Sequence, residues 1–159
     1  MTDDHNKKAF ITYCGVYCGA CRWRRAGQEK DDRHLSEKTR TLEPKELQYW
    51  LACPGCRAGQ HRADCDFRIC AEGKGLTRCI DCPEFPCKLH QEFNSDGVPH
   101  HSHSIESLAA LKELGEDGWL EMQEKKWTCS CGAKLSWYLK RCLKCGKPVQ
   151  DNGRCFAPR

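Results

Sequence analysis

The segment Cys14–Cys21, CGVYCGAC, places three thiols within eight residues, separated first by three residues and then by two. Closely spaced thiolates bind soft metals, and radical enzymes use this spacing to hold a [4Fe–4S] cluster. Such enzymes need a barrel of alternating strands and helices, and the residues that follow show no such alternation. The pattern therefore argues against a radical enzyme, whereas a cluster for electron transfer or structure remains an open alternative.

Cysteine is abundant throughout the chain, with 15 thiols in 159 residues. We predict metal ligation by fourteen of them: Cys14, Cys18, Cys21, Cys53, Cys56, Cys65, Cys70, Cys79, Cys82, Cys87, Cys129, Cys131, Cys142 and Cys145. The fifteenth, Cys155, is interpreted as a thiol of the C-terminal tail without a function. Repeated pairs at two-residue spacing fit a tetrahedral ion better than a disulfide framework.

The C-terminal group has the most specific pattern, Cys129-x-Cys131 and Cys142-x2-Cys145, with a glycine after each pair. Each pair predicts a tight turn whose backbone amides point at sulfur, and the glycines relieve the strain of that turn. The intervening residues 134–139 have strand character. We therefore predict a β-hairpin zinc ribbon with one four-thiolate zinc ion. Rubredoxin-like iron is the main alternative, and a closed four-sulfur site is structural rather than catalytic.

The N-terminal cysteines are harder to group. Cys53-Pro54-Gly55-Cys56 is a second turn of this kind, and sequence proximity joins this pair to Cys65 and Cys70 in one zinc site. The other six then hold one or two zinc ions, or a [4Fe–4S] cluster with Cys14, Cys18 and Cys21 as three of its ligands. We expect two to four Zn²⁺ ions per chain.

Three segments together resemble a known family: CGVYCGAC, CPGCRAG and CDFRICAEGKGLTRCIDCPEFPCKL. They are similar to the domain of unknown function 3795, whose pattern extends from Cys14 to Leu89, about half of the chain. In this chain the middle pair has Phe67-Arg68-Ile69 before Cys70, one residue longer than the shortest family form, and the connector and ribbon look like an addition found on some members. The resemblance implies a small metal-binding domain of the prokaryotic cytoplasm, mostly in anaerobes, and it implies no established activity.

The composition of the chain and its expected compartment both favour metal ligation over disulfide bonds. Charged residues make up 30% of the chain and its mean hydropathy is −0.76, so a thin core needs a further source of stability. The N-terminal sequence lacks the features of a secretion signal, and no run of eighteen apolar residues predicts a membrane span. We expect a cytoplasmic protein, in a reducing compartment where disulfides are rare.

We predict a small metal-stabilised fold of the α+β or irregular class, and the composition of the chain divides it into five parts. The predicted parts are a cysteine-rich module with short helices (1–93), a polar linker (94–104), a helical connector (105–124), the ribbon (125–148) and a tail (149–159). In the connector we expect Ser104 as the N-cap and Ile105, Leu108 and Ala109 on one face. Gly115 should end that helix.

Histidines offer weaker candidates. His100, His101 and His103 lie in the polar linker, where we expect solvated side chains rather than ligands. His61 and His90 are adjacent to cysteine groups and are alternatives to a thiolate ligand.

We identify no catalytic residues and no site for an organic cofactor, and we favour a non-enzymatic function. The leading hypothesis is a zinc-binding protein-interaction or adaptor module, and the alternative is an iron–sulfur electron-transfer protein. A third hypothesis is nucleic-acid binding through Lys125–Lys147, because residues 125–159 carry nine lysines and arginines against one acidic residue. Basic side chains neutralise phosphates, and Trp127, Trp137 and Tyr138 are candidates for stacking on bases.

Overall fold

The computed structural model describes residues 7–149, so the predicted tail beyond residue 149, with Cys155, lies outside the described residues. The α-helices are α1 (Arg22–Glu29), α2 (Glu37–Arg40), α3 (Pro44–Leu51), α4 (Asp66–Gly73), α5 (Lys88–Asn94) and α6 (Ser104–Lys126). Short 3-10 helices cover Lys8–Phe10, Cys18–Ala20, Asp32–His34 and Cys79–Asp81. None of the helices in residues 7–149 is long and apolar enough to cross a membrane.

The long helix α6 organises the fold. Its backbone leaves helical conformation at Gly115, as predicted, with φ 72° and ψ 174°, and the second half then continues to Lys126. Ser104 is not the N-cap, because His103 occupies that position. The Ser104 hydroxyl instead donates a hydrogen bond to the carbonyl oxygen of Cys14 at 2.8 Å. The start of α6 thus holds the opening cysteine segment in place.

One hydrophobic core joins the N-terminal segment, α6 and the C-terminal residues. Trp119 is fully buried, and its indole N–H donates to the carbonyl oxygen of Ser107 at 3.0 Å. The ring of Tyr17 meets Trp119 edge-on, with centroids 5.8 Å apart. Leu108 and Leu135 are also buried in this core. The two cysteine-rich parts of the chain therefore share one core that is built on this bent helix.

The prediction of an α+β fold with a C-terminal β-hairpin was wrong. Residues 7–149 contain no strand, and their only pairings of this type are two isolated antiparallel bridges, Thr128 with Lys134 and Arg141 with Pro148. The backbone N–H of Trp137 donates to the carbonyl oxygen of Ala20 at 3.0 Å rather than to a neighbouring strand. Tyr138 follows with φ 72°, a left-handed conformation that interrupts an extended segment.

Helices α1 and α3 lie side by side with very close contact at Gly27. A Cβ atom at this position would lie 1.9 Å from the carbonyl oxygen of Leu51, so only glycine fits there. Helix α1 begins directly after Cys21, and α3 ends two residues before Cys53. The close packing of these helices brings the cysteine pairs at their ends to one place.

Candidate metal centres

The four C-terminal cysteines converge on one point. The sulfur atoms of Cys129, Cys131, Cys142 and Cys145 all lie within 4.8 Å of one another. The Sγ–Sγ distances are 3.7 Å for Cys129 and Cys145 and 3.6 Å for Cys131 and Cys142. A tetrahedral ion with metal–sulfur bonds of about 2.3 Å places its sulfurs about 3.8 Å apart. This quartet is therefore shaped to hold one metal ion.

Two similar turns build the quartet. In the first, the N–H of Gly132 donates to the carbonyl oxygen of Cys129 at 2.8 Å, and in the second the N–H of Gly146 donates to that of Cys142 at 2.9 Å. Both glycines have positive φ values, 86° and 71°, which confirms their predicted role in the turns. The backbone N–H of Cys131 points at the sulfur of Cys129 and is the main reason why the pKa of that thiol is lowered to about 6.

A cavity of about 310 Å³ lies among the N-terminal cysteines. The thiols that line it are Cys14, Cys18, Cys21, Cys53, Cys56 and Cys65. We call it the six-cysteine cavity. Its walls also include Trp23, Trp50 and Trp137. In residues 7–149, no set of three or more potential ligands outside the C-terminal quartet converges as that quartet does. The six thiols thus line a cavity, and their sulfur atoms do not converge on one position as those of the quartet do.

Cys18, Cys56 and Arg24 interact with one another at the wall of this cavity. The Cys56 thiol donates a hydrogen bond to the Cys18 sulfur, and this bond, with the nearby Arg24 charge, lowers the pKa of Cys18 to about 6. Burial instead raises the pKa of Cys21 to about 11. Arg24 is only 5% exposed, and its Nη1 donates to the carbonyl oxygen of Pro54 at 2.7 Å and to the Cys18 sulfur at 3.8 Å. Its Nε atom has no hydrogen-bond partner.

The remaining N-terminal cysteines surround a much smaller void, of about 30 Å³: Cys70, Cys79, Cys82 and Cys87. His90 lies beside them, 1% exposed, with its Nδ1 atom 3.9 Å from the Cys87 sulfur and its Nε2 atom without a hydrogen-bond partner. Burial lowers the pKa of His90 to about 4, so the ring is neutral at physiological pH. Sequence proximity grouped Cys70 with Cys53, but the structure places it in this second group.

Of the other four candidate histidines, three make stacking contacts with aromatic rings and one lies beside a carboxylate. His100 stacks on Trp137 with centroids 4.2 Å apart, and His101 stacks on Phe93 at 3.7 Å. Both line the six-cysteine cavity, although the sequence predicted that they are solvated. His61 stacks on Tyr49 at 4.0 Å. His103 lies 3.4 Å from a carboxylate oxygen of Glu106.

The sequence analysis did not single out His34, which links the two ends of the chain. Its Nδ1 atom lies 2.7 Å from the hydroxyl of Ser136, and its Nε2 atom lies 2.8 Å from a carboxylate oxygen of Glu29. The His34 side chain is fully buried. No sequence pattern indicates this contact, because 102 positions separate His34 from Ser136.

These features define a cysteine-rich protein with four cysteines close enough together to hold a metal ion and two further groups of cysteines. The chain belongs to a family described as a protein of unknown function, DUF3795, whose profile matches residues 10–92. The match covers just over half of the chain and includes all ten N-terminal cysteines, whereas the C-terminal quartet lies outside it. Neither the curated proteins nor the solved structures include a match to this chain.

Proposed function

We propose that this is a non-catalytic zinc-binding protein in which the C-terminal quartet holds one structural Zn²⁺ ion. The observation that carries the proposal is the convergence of four sulfurs at separations of 3.6 and 3.7 Å. These separations suit a zinc ion with four thiolates. Such a site has no open coordination position for water or substrate, so the ion stabilises structure rather than reacting.

The C-terminal residues need such an ion because they bury few apolar side chains. Trp127, Leu135 and Leu139 enter the shared core, but the residues between the two turns form no regular element. Metal binding would replace the missing burial, as it does in small zinc domains. We extend the proposal to a protein-interaction role, because a closed zinc site stabilises the conformation of the surrounding surface, which can then bind a partner. Exposed apolar side chains such as Ile69 and Leu114 are candidate contact points.

Substitution of one ligand tests the zinc proposal. Cys142→Ser should lower the zinc content by one ion per chain and increase hydrogen exchange in residues 127–148, because three thiolates bind zinc more weakly than four. Cys155→Ser is the matched control, a thiol outside the quartet that should retain all zinc. Zinc is measured by mass spectrometry of the purified, desalted protein. A Cys142→Ser protein with full zinc content would contradict the proposal.

Nucleic-acid binding through the basic C-terminal residues stays a prediction. The Trp127 ring is only 5% exposed and the Trp137 ring stacks on His100, so both rings already have partners within the protein. Exposed lysines such as Lys140 and Lys144 are the groups left for phosphate contacts. Binding to mixed-sequence single-stranded DNA should then weaken as salt rises, and undetectable binding at low salt would exclude this hypothesis.

A further inference from the structure

The six-cysteine cavity contains more thiols than one tetrahedral ion can use. A single zinc ion takes four thiolates, and six line this cavity. The C-terminal quartet shows what a site for one ion looks like in this chain, with all sulfurs within 4.8 Å. The six cavity thiols share one space without converging on a single point. Their arrangement therefore favours a centre with several metal atoms.

Cavity size leads to the same conclusion. The six-cysteine cavity measures about 310 Å³, whereas the void among Cys70, Cys79, Cys82 and Cys87 measures about 30 Å³. The smaller void has the size of a single water molecule or ion. The larger one is about ten times that volume, which leaves room for several metal atoms and for ligands that bridge them.

The charge around the cavity calls for an anion. Arg22, Arg24 and Arg62 line it, and among residues 7–149 no aspartate or glutamate does. Arg24 is only 5% exposed, and no carboxylate of the described residues forms an ion pair with it. A buried cation without an opposite charge is strongly destabilising. Metal–thiolate centres carry net negative charge, because each cysteine contributes a thiolate.

We propose that the six-cysteine cavity holds an anionic, polynuclear metal–thiolate centre and that Arg24 is its buried counter-charge. The guanidinium donates to the Cys18 sulfur at 3.8 Å and keeps a second nitrogen, Nε, free of any protein partner. The inference deepens the proposed metal-binding function, but it concerns a different site from the C-terminal quartet. Such a centre is either an iron–sulfur cluster or a group of zinc ions that are bridged by thiolates.

Metal analysis of protein purified without oxygen, from cells supplied with both iron and zinc, tests the number of metal atoms. The fully loaded wild type should contain at least three metal atoms per chain, one in the quartet and two or more in the cavity. Cys21→Ser should lose at least two, while Cys142→Ser loses one. Iron with an equal amount of acid-labile sulfide identifies an iron–sulfur cluster, and zinc without sulfide identifies bridged zinc ions. Fewer than three metal atoms in the wild type, or loss of one or none in Cys21→Ser, would overturn the proposal.

Arg24 gives a test that removes no ligand. Arg24→Met keeps an unbranched, shorter side chain and removes its charge, so the metal content of the cavity should fall several-fold. Arg24→Lys restores a positive charge and should recover most of it. Arg40→Met, on an exposed arginine of α2, is the control for the loss of a surface charge. Equal metal contents in Arg24→Met and Arg40→Met would overturn the role of Arg24.

The two proposals fail separately. If Cys142→Ser keeps its zinc while Cys21→Ser loses two or more metal atoms, the quartet proposal is wrong and the cavity proposal stands. If Cys142→Ser loses one ion and Cys21→Ser loses none, the reverse holds. Circular dichroism of each variant shows whether its helices are intact, so that a loss of metal is distinguished from general unfolding.

Discussion

The C-terminal quartet and the six-cysteine cavity are built from the same residue type in opposite ways. The quartet comes from one short segment, and its turns are closed by backbone hydrogen bonds between residues at most five apart, such as Cys142 and Lys147. The cavity draws thiols from just before the start of α1, from just after the end of α3, and from residues as far apart as Cys14 and Cys65. The comparison shows that a close cluster of four thiols can be encoded locally, whereas the six-cysteine cavity depends on tertiary packing.

The largest expected effect tests this dependence on packing. Trp119→Ala removes a fully buried ring that contacts Tyr17, and it should lower the free energy of unfolding by about 3–5 kcal/mol. The N-terminal cysteines should then become reactive toward a thiol reagent before those of the quartet do. Urea unfolding and mass-resolved alkylation measure both effects. Leu114→Ala is the control, because that side chain is 47% exposed and its truncation should have little effect. If the N-terminal cysteines and the quartet cysteines reacted equally fast in Trp119→Ala, the two regions would not differ in their dependence on tertiary packing.

A smaller effect is expected where α1 and α3 meet. Gly27→Ala places a methyl group 1.9 Å from the Leu51 carbonyl oxygen, so the helices must separate, at a cost of about 1–3 kcal/mol. Gly73→Ala is a matched control at the end of another helix, with no atom within 4 Å of the added Cβ. It should be neutral or slightly stabilising, since alanine favours helix more than glycine does. Thermal unfolding compares the two, and similar stabilities would show that this helix contact does not hold the cavity together.

The smallest effect is a pH dependence that links the two regions. Burial lowers the pKa of His100 to about 3, below its ordinary value of 6.5, so the folded protein keeps this ring neutral. Stability from this group is therefore present above pH 6.5 and is lost as the pH falls toward 3, by at most about 1.4 kcal/mol per pH unit. His100→Phe keeps a ring against Trp137 and removes the titration.

The variant should thus lose less stability than the wild type between pH 7 and pH 5. Urea unfolding of both proteins at each pH measures the difference, and the effects of acid on the thiolates cancel because both proteins contain them. Parallel curves for the two proteins would show that His100 does not contribute.

The sequence predicted the features that depend on neighbours in the chain. The structure agrees with four local predictions: the convergence of the quartet thiols, the role of Gly132 and Gly146, the break at Gly115, and helix α3 with Pro44 in its first turn. The β-hairpin was mispredicted because the backbone of Trp137 bonds to Ala20, a partner that no local pattern reveals.

The grouping of the cysteines failed for a geometric reason. Cys65 is the N-cap of α4 and Cys70 lies within that helix, so the two were expected to reach one ion. Five residues of α-helix turn the direction of a side chain by about 140° relative to the first. Cys65 consequently lines the six-cysteine cavity and Cys70 the smaller void on another side of the helix. Proximity in sequence was misleading because the intervening residues are helical.

The bend in α6 has a consequence for how this chain can vary. Gly115 adopts φ 72° and ψ 174°, a combination open essentially to glycine alone, although no atom lies within 4 Å of a Cβ added there. The position is therefore constrained by torsion and not by volume. Because the first half of α6 holds the opening cysteines and the second half leads to the quartet, the backbone torsion at Gly115 sets the direction in which one cysteine-rich region faces the other.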